Sequence, residues 1–357
     1  MSSPERALTP EPGALFLREI HEQPSALRAL LEHDAEYARV AAVARERGRL
    51  VRFVGHGSSD NAATYGVYAF GLLAGWTAMR DSIALSVYFG AEPEMAGSTV
   101  IGLSQSGRTP DVVEYVRRAK RAGAYTVALT NDPDSELARA AEAVLPLAAG
   151  EERAVAATKT YVNQLAALAL LAGHCGDDGA RVSAGIRSAA AQLDVALPTL
   201  ESQARALAAP FAFVGRMFVI GRGPGFATAR ELALKLLETC KTAAWPLTAT
   251  DLAHGPVAVL DPLFPVWAIA SRDETLPAVQ EAVARVREFG ATIVASGDGA
   301  DAIEEAQYVL PTPAPEVPIL SPILSVVPGQ LFAAALARAK GHDPDRPRGL
   351  SKVTLAR

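Results

Sequence analysis

The feature that most constrains this chain is an α/β pattern that occurs twice. Gly55 in VGHGSS corresponds to Gly221 in IGRGPG at an offset of 166 residues, and Gly123 in RAGAYTVAL corresponds to Gly290 in EFGATIVAS at an offset of 167. Two landmarks at nearly one offset indicate a duplicated unit. Runs rich in Val, Ile and Leu alternate with helical segments, which predicts parallel sheets covered by helices on both faces. We therefore expect an α/β fold of two tandem, doubly wound, flavodoxin-like domains, each with three α/β/α layers.

The length of 357 residues is sufficient for two such domains. Helical apolar spacing runs from Ala14 to about Arg47 with a break at Pro24, which predicts an N-terminal helical arm. We expect the hinge between the domains near Asp177–Leu200. The predicted boundaries are 1–35 for the arm, 36–190 and 191–342 for the two domains, and 343–357 for a C-terminal tail.

The composition indicates a soluble, cytoplasmic protein. Hydrophobic residues make up 50% of the chain, and the mean hydropathy is +0.15, yet we find no apolar run of the length that a membrane span requires. The start, MSSPERALTPEPG, lacks the features of a signal peptide. Cys175 and Cys240 lie far apart without metal-ligand neighbours, which argues against a zinc site or disulfide framework. With a net charge of −5 and no basic stripe, no nucleic-acid partner is expected.

A stretch in the second copy combines carboxylates, a lysine and a histidine. Glu231, Lys235 and Glu238 stand at positions i, i+4 and i+7 with apolar residues between them, so they share one face of a mostly buried helix. Two carboxylates beside a lysine hold perturbed pKa values of the kind that proton-transfer catalysis uses. His254 follows in the next loop. The alternative, on these residues alone, is an ordinary helix ion pair and a histidine that caps a loop.

Two strand-to-helix corners in the first copy carry polar side chains suited to phosphate: Ser58, Ser59, Ser104, Gln105, Ser106 and Thr109. Thr109 is the expected N-cap of the helix after the second corner, with Pro110 at its first position. Hydroxyls, free backbone amides and the helix dipole together form an anion site there. In a doubly wound sheet both corners lie at the carboxyl edge, where ligands bind. A capped turn without a ligand remains the alternative.

Nucleotide-binding patterns are incomplete in this sequence. Neither Gly55-x-Gly57 nor Gly221-x-Gly223 continues to G-x-G-x-x-G, and the P-loop pattern is absent. These turns therefore give no support to a dinucleotide or nucleoside-triphosphate function, and no cofactor or metal is expected.

Ordered motifs along nearly the whole chain resemble the sugar isomerase (SIS) domain family, and specifically the tandem isomerase half of glucosamine-6-phosphate synthase. The motifs are REIHEQP (Arg18 to Pro24), GSSDN (Gly57 to Asn61), LSQSGRT (Leu103 to Thr109), AATK (Ala156 to Lys159), ELALKLLE (Glu231 to Glu238), DLAHGP (Asp251 to Pro256) and DPDRPRGLSK (Asp343 to Lys352). The resemblance implies a sugar phosphate as ligand, held mainly by the serine and threonine corners.

The resemblance also implies roles for the ionisable residues. Glu238 is implied to move a proton between C1 and C2 of the sugar, with Glu231 and Lys235 in support. His254 is implied to open the sugar ring, usually across the interface of a homodimer. Lys352 in the tail is implied to close over the substrate and to form an imine with its carbonyl. Pro344, Pro347 and Gly349 in the tail forbid a continuing helix.

Two departures from the family pattern bear on function. In the substrate loop that contains Ala156, the family's serine is Ala157 here, so one hydroxyl is missing from the pocket. The glutaminase domain of glucosamine-6-phosphate synthase has no counterpart in this sequence, because about ten polar residues precede the arm and no cysteine occurs before Cys175. The expected function is therefore an amino-sugar phosphate deaminase/isomerase acting on a substrate such as glucosamine 6-phosphate. A fructosamine-phosphate deglycase and a non-catalytic sugar-phosphate sensor are the alternatives.

Overall fold

The computed structural model describes residues 11–352 and confirms two tandem α/β units. The first sheet contains Leu50–Val54 (β1), Thr77–Arg80 (β2), Ser98–Ser104 (β3), Tyr125–Thr130 (β4) and Ala143–Pro146 (β5). The second contains Arg216–Gly221 (β6), Ala243–Thr248 (β7), Pro265–Ile269 (β8), Thr292–Gly297 (β9) and Tyr308–Pro311 (β10). The strand orders are β2-β1-β3-β4-β5 and β7-β6-β8-β9-β10, and all pairs are parallel. Numbered within each half, the two orders are identical, as duplication predicts.

The helices connect and cover these strands, with bounds Ala14–His21 (α1), Gln23–Leu31 (α2), Asp34–Arg47 (α3), Ser58–Ala69 (α4), Ile83–Val87 (α5), Pro110–Arg121 (α6), Glu136–Ala140 (α7), Lys159–Cys175 (α8), Gly179–Ala208 (α9), Gly225–Cys240 (α10), Leu276–Glu288 (α11) and Ser321–Ala339 (α12). Helices lie on both faces of each sheet. The first three lie in the stretch from Ala14 to about Arg47 whose apolar spacing predicts helices, and α3 extends beyond the predicted end of the arm at residue 35. Phe16, Ile20 and Leu27 are fully buried, so the arm is part of the core.

The glycine landmarks occupy equivalent positions in the two copies. Gly123 follows α6 with φ of 88°, Gly290 follows α11 with φ of 77°, and each precedes a strand. Residues other than glycine rarely adopt this left-handed conformation. Gly55 is favoured for a different reason, since a Cβ there would make tight contacts of 3.1 Å with the carbonyl oxygen of Leu103 and 3.0 Å with the Cβ of Ser59. The corners after β1 and β3 therefore approach each other closely.

The expected hinge at Asp177–Leu200 is helical for most of its length. Helix α9 runs without interruption from Gly179 to Ala208, so the predicted boundary at residue 190 lies in its middle. Its apolar residues, among them Ile186 and Leu193, are fully buried in contacts with α2, α8 and α12. This packing explains why a continuous helix connects the halves.

One helix corrects the expectation that no segment has the length and hydropathy of a membrane span. Within residues 11–352, Pro318–Ala339 passes that test with 22 residues and a mean hydropathy of 1.8. However, 94% of its most apolar part is buried inside the fold. It contacts α9 and α10, so its apolar surface is that of a central core helix.

The two halves share an apolar core that places α4 next to α10. Ala62 and Ala63 of α4 belong to the same buried cluster as Leu232 and Leu236 of α10. Helix α4 begins at the corner after β1, where Ser58 and Ser59 lie. The contact between the helices therefore brings the polar corner of the first half onto the ionisable face of the second.

Candidate functional site

The ionisable side chains of α10 form a connected group, as their helical spacing predicts. Lys235 Nζ lies 3.3 Å from Glu231 Oε1 and 2.6 Å from Glu238 Oε2. The side chain of Glu231 is 0% exposed, that of Lys235 is 1% exposed and that of Glu238 is 22% exposed. Of the three, only Glu238 reaches solvent, so it is the member of the group that a bound molecule can touch.

Helix α4 supplies further partners for the buried end of this group. Ser58 Oγ and Asn61 Nδ2 each donate a hydrogen bond of 2.9 Å to Glu231, one to each carboxylate oxygen. Lys235 Nζ also lies 3.3 Å from Ser58 Oγ. Ser58, which we predicted to bind substrate, therefore ties the two halves together at the α10 carboxylate.

Burial and charge act in opposite directions on the pKa values of this group. Burial raises the pKa of the Glu231 carboxyl, although the ammonium of Lys235 and the hydrogen bond from Asn61 oppose it. Burial acts to lower the pKa of Lys235, but the carboxylates of Glu231 and Glu238 outweigh it and hold that pKa above its ordinary value. Lys235 is therefore a cation beside Glu238 and is unsuited to act as an amine nucleophile.

The predicted phosphate turn lies between β3 and α6 with its hydroxyls directed at its own backbone. Ser104 Oγ accepts a hydrogen bond of 3.1 Å from the Gly107 amide and lies 3.2 Å from Thr109 Oγ1. Ser106 Oγ accepts one of 3.3 Å from the Arg108 amide. Thr109 and Pro110 occupy the predicted N-cap and first-turn positions, but Thr109 makes no side-chain cap. The turn is thus preformed by hydrogen bonds between its own hydroxyls and amides.

The backbone carbonyl of Gln105 is the anchored part of that residue, since it accepts hydrogen bonds from the Asn131 amide at 3.1 Å and from Thr130 Oγ1 at 3.3 Å. Gly107 has a φ of 62°, and a Cβ there would lie 2.0 Å from Ser135 Oγ. Only glycine fits this position. The turn is therefore fixed from below by β4 and the segment that follows it.

Two polar contacts at the first corner involve residues that sequence reasoning did not select. Ser59 Oγ accepts a hydrogen bond of 2.9 Å from Gln164 Nε2 of α8. His56 Nε2 lies 2.7 Å from Asp111 Oδ2, which joins the β1 corner to the first turn of α6. Gln164 and Asp111 lie far from Ser59 and His56 in sequence, so no local pattern could have indicated these pairs.

The described part of the tail brings Lys352 to the loop that precedes α8. Its Nζ donates hydrogen bonds of 2.7 Å to Glu152 Oε2 and of 2.7 Å to the carbonyl oxygen of Ala154. Lys352 is 25% exposed, whereas the Glu152 side chain is 0% exposed. The predicted tail residues 353–357 lie outside the described residues. The structure thus places Lys352 within reach of solvent, on the loop that carries Ala156 and Ala157, of which Ala156 is buried and Ala157 half-buried.

Glu152 is a functional candidate that the sequence analysis missed. Its carboxylate also accepts hydrogen bonds from the Thr158 amide at 2.9 Å and from Thr160 Oγ1 at 2.7 Å, at the start of α8. Burial acts to raise the pKa of Glu152, but the charge of Lys352 and the hydrogen bonds hold it below its ordinary value. Glu152 is therefore a carboxylate that fixes Lys352 as an ion-pair partner. The only available signal was its position four residues before the AATK motif.

His254 is not joined to this group in the single chain. It ends a short 3-10 turn, Asp251–His254, and its side chain is exposed. It has no hydrogen-bond or ion-pair partner among residues 11–352. In the same described range, no group of three or more His, Cys, Asp or Glu side chains is arranged to hold a metal ion.

Comparison with protein families matches the SIS domain model twice, to residues 45–173 and 211–339. The starts of the two matches differ by 166 residues, which is the offset of the Gly55 and Gly221 landmarks. Among curated relatives, the isomerizing glutamine–fructose-6-phosphate aminotransferase of Gloeobacter violaceus is 36% identical over 94% of this chain. The chain spans 58% of the length of that relative.

Solved structures give the same result for the fold. A protein of Silicibacter pomeroyi, provisionally named a phosphosugar isomerase, is 33% identical with a TM-score of 0.82, over 92% of this chain and 99% of that one. The glucosamine-6-phosphate deaminase of Thermotoga maritima is 21% identical with a TM-score of 0.75, over 96% of this chain and 100% of that one. The second likeness concerns the fold alone.

Proposed function

Because this chain belongs to the SIS domain family, with two SIS domains in tandem, we propose that it is a sugar-phosphate enzyme of the isomerase type that releases ammonia from a hexosamine 6-phosphate such as glucosamine 6-phosphate. The observation that carries the proposal is the partly exposed carboxylate of Glu238 held 2.6 Å from the buried cation Lys235. A sensor needs the phosphate corners but has no use for this buried and electrostatically costly arrangement.

In the proposed reaction, Glu238 takes the proton from C2 of the open-chain amino aldose while the C1 carbonyl becomes an enol. The same carboxyl then returns a proton to C1, which leaves an imine at C2. Water adds to that imine, the carbon–nitrogen bond breaks, and ammonia leaves together with a ketose 6-phosphate. The Lys235 ammonium, 2.6 Å from Glu238 Oε2, holds the carboxyl group of Glu238 in place for this proton transfer.

The phosphate of the substrate is proposed to bind at the corner between β3 and α6. Support comes from the preformed turn, where Ser104, Ser106 and Thr109 hydroxyls lie beside backbone amides at the start of a helix. On substrate binding, the hydroxyls would exchange their contacts with the turn for contacts with phosphate oxygens. The neighbouring corner at Ser59 follows the adjacent strand, β1, so the two corners face a common ligand site.

Lys352 is proposed to act on the substrate carbonyl from the tail. Its Nζ is partly exposed, and its present partners, Glu152 and the Ala154 carbonyl, hold it on the loop beside Ala157. In this step Lys352 takes the place of the first water: it passes a proton to Glu152, and its amine then attacks the C2 imine. The bond from C2 to the substrate nitrogen breaks, ammonia leaves, and water hydrolyses the resulting lysine imine to the ketone. Unlike Lys235, Lys352 is not enclosed between two carboxylates, so it is the better candidate for this step.

His254 is proposed to open the sugar ring in the site of a second subunit. Its exposed side chain and its lack of partners within residues 11–352 are compatible with a role across a homodimer interface. A mixture of Glu238→Gln and His254→Asn chains tests this arrangement after dissociation and reassociation. Shared sites predict partial recovery of turnover in the mixture, since some sites then combine an intact Glu238 with an intact His254. Absence of recovery in verified mixed dimers would place both residues in one subunit's site.

Release of ammonia from a panel of sugar phosphates tests the proposed function. The panel contains glucosamine 6-phosphate and its epimers, a fructosamine phosphate, and hexose 6-phosphates without nitrogen. The proposal predicts ammonia and ketose 6-phosphate in equal amounts from a hexosamine 6-phosphate. Turnover of the hexose phosphates alone would show a simple aldose–ketose isomerase, release of a larger amine alone would show a deglycase, and binding without turnover would show a sensor.

A further inference from the structure

The first helix of the arm is held at its start by the C-terminal tail. Asp345 accepts hydrogen bonds from the Leu15 amide at 3.1 Å and from the Phe16 amide at 2.7 Å. Asp343 accepts one of 3.1 Å from Gly13. The first amides of a helix have no partner within the helix, and a carboxylate there is favoured by the helix dipole. The tail thus caps α1, although the two segments stand about 330 residues apart in sequence.

One turn later, α1 holds the loop that binds Lys352. Glu19 is 0% exposed and accepts hydrogen bonds from the amides of Arg153 at 2.5 Å and Ala154 at 3.3 Å. The carbonyl of Ala154 in turn accepts one from Lys352 Nζ. The loop and the tail also meet directly, because the Val155 amide donates a hydrogen bond of 3.1 Å to the Asp345 carbonyl. Helix α1 therefore contacts both the C-terminal tail, which carries Lys352, and the loop that Lys352 binds.

The neighbouring arm residues hold the other end of the same loop. Lys159 is buried, and its Nζ donates hydrogen bonds of 2.6 Å to Glu22 and 2.7 Å to the Glu151 carbonyl. Gln23 donates one of 2.5 Å to Gln330, which lies 3.4 Å from the Thr158 carbonyl. The REIHEQP segment thus contacts the 151–159 loop near its middle, through Glu19, and at its end, through Glu22. The shape of the 151–159 loop is therefore held by contacts with the arm.

We propose that Glu19 and Asp345 are positioning residues that set the place of Lys352 through α1 and the 151–159 loop. The role of Lys352 in catalysis rests on the proposed function, but the positioning does not. Glu19 is fully buried under the loop, so it cannot touch a bound sugar and acts only through the two amides. Burial raises the pKa of Glu19, so ionising it costs more in the folded chain than in water. The isosteric Glu19→Gln variant is therefore suited to test position without loss of the fold.

The experiment compares Glu19→Gln with a matched variant, Glu201→Gln. Glu201 Oε2 lies 2.7 Å from Nε2 of His21, the last residue of α1. The Glu201→Gln variant therefore also changes a carboxylate contact of α1, but one away from the 151–159 loop. The first readouts are hydrogen–deuterium exchange of segments 151–158 and 341–352, and the rate at which the Lys352 amine is acylated, followed by mass spectrometry. In Glu19→Gln an amide nitrogen replaces Oε2, which accepts a hydrogen bond of 3.3 Å from the Ala154 amide. Both readouts should rise about tenfold in this variant, the scale expected for loss of one buried hydrogen bond, and stay near wild type in Glu201→Gln.

Kinetics supply the second readout. Displacement of a catalytic lysine should lower kcat by about tenfold or more with little change in KM, because Lys352 acts after the phosphate has bound. Glu19→Asp keeps the charge but has a shorter side chain, so its kcat should stay close to that of Glu19→Gln. If only the charge of Glu19 mattered, the kcat of Glu19→Asp would equal that of the wild type. Should Glu19→Gln fail to fold, Asp345→Asn is measured in its place, since its remaining oxygen still accepts from Phe16.

Unchanged exchange and acylation in Glu19→Gln, or equal changes in Glu201→Gln, would overturn the proposal. If both readouts respond as expected while the wild-type protein turns over no sugar phosphate in the panel, the proposed function fails and the positioning of Lys352 stands. If turnover is present but Lys352→Arg retains all of it, the lysine is positioned for some purpose other than catalysis. Each result therefore separates the two proposals.

Discussion

Replacing Lys235 by methionine tests whether the buried group on α10 is held together by charge. Methionine has nearly the same length but no charge, so the change removes the cation between Glu231 and Glu238 and leaves the helix intact. In the wild-type chain, Lys235 is 1% exposed and Glu231 is 0% exposed. The single variant therefore leaves a fully buried carboxylate without its cation.

Breaking a buried ion pair by removing one partner typically costs about 3–5 kcal/mol of the free energy of unfolding. Glu231 keeps its hydrogen bonds from Ser58 and Asn61, so we expect the lower end of that range. Without Lys235, the pKa of Glu231 rises further, because burial and the charge of Glu238 still oppose its ionisation. A carboxyl whose folded pKa is raised contributes stability at low pH that is lost as the pH rises through that pKa. The variant should therefore be more stable near pH 5 than near pH 8.

The assay is urea unfolding of the wild type, Lys235→Met and the double variant Glu231→Gln/Lys235→Met across that pH range. In the double variant no buried charge remains on Glu231, and the glutamine oxygen still accepts a hydrogen bond from α4. Its stability should return to within about 1 kcal/mol of the wild type and lose the added pH dependence. Turnover should not return, because Glu238 still lacks the ammonium that lies 2.6 Å from it.

Two results would refute this reasoning. A cost below about 1 kcal/mol for Lys235→Met would mean that the pair behaves as an exposed surface ion pair does. Full turnover in the double variant would mean that Glu231 and Lys235 have only a structural role, and the proposed support of Glu238 by Lys235 would be wrong.

Three further predictions concern the other parts of the site. Ser106→Ala should raise KM more than it lowers kcat, because the phosphate contact is made equally in the bound and transition states. Steady-state kinetics with a hexosamine 6-phosphate test this, and a fall in kcat alone would contradict it. Lys352→Arg should keep the fold but lose most turnover, because arginine cannot lose its proton and attack a carbonyl. Borohydride should trap a substrate adduct at Lys352 only in the wild type, and wild-type activity in the variant would show that the tail has no catalytic role. The lowered pKa of Glu152 predicts a stability contribution that is fully present above the ordinary pKa of a glutamate, about 4.3, and is lost as the pH falls through the lower pKa of the folded chain. The free energies of unfolding of the wild type and Glu152→Gln should therefore differ at pH 7, and the difference should shrink as the pH falls through that lower pKa.

The duplicated fold could be predicted because its signals are local. Gly123 and Gly290 occupy left-handed turns that other residues rarely adopt, and the buried parallel strands read as continuous apolar runs. The edge strand Thr77–Arg80 carries no such run, since it is mostly exposed, and sequence reasoning did not separate it from the short helix Ile83–Val87 that follows. Sequence analysis missed the apolar length of the segment that contains α12. Hydropathy alone could not have shown that α12 is a buried core helix, because core helices and membrane spans have the same hydropathy.

In the candidate site, too, contacts within one helix could be predicted from the sequence and contacts between distant segments could not. The contact of Glu231, Lys235 and Glu238 follows from helical periodicity, so the sequence was sufficient to predict it. The pairs His56–Asp111 and Lys352–Glu152 bring together residues 55 and 200 positions apart. Such pairs depend on how the elements pack, and packing has no local signature in a single sequence.

The most direct test of the central claim uses glucosamine 6-phosphate with deuterium at C2. If Glu238 moves the C2 proton, the wild-type protein should transfer the label to C1 of the ketose 6-phosphate or release it to water, with one ammonia formed per ketose. Glu238→Gln should bind the same substrate but lose turnover by about 10² or more, the scale for removing a general base. Binding by the wild type with the label retained at C2, or label loss at the wild-type rate in Glu238→Gln, would contradict the account.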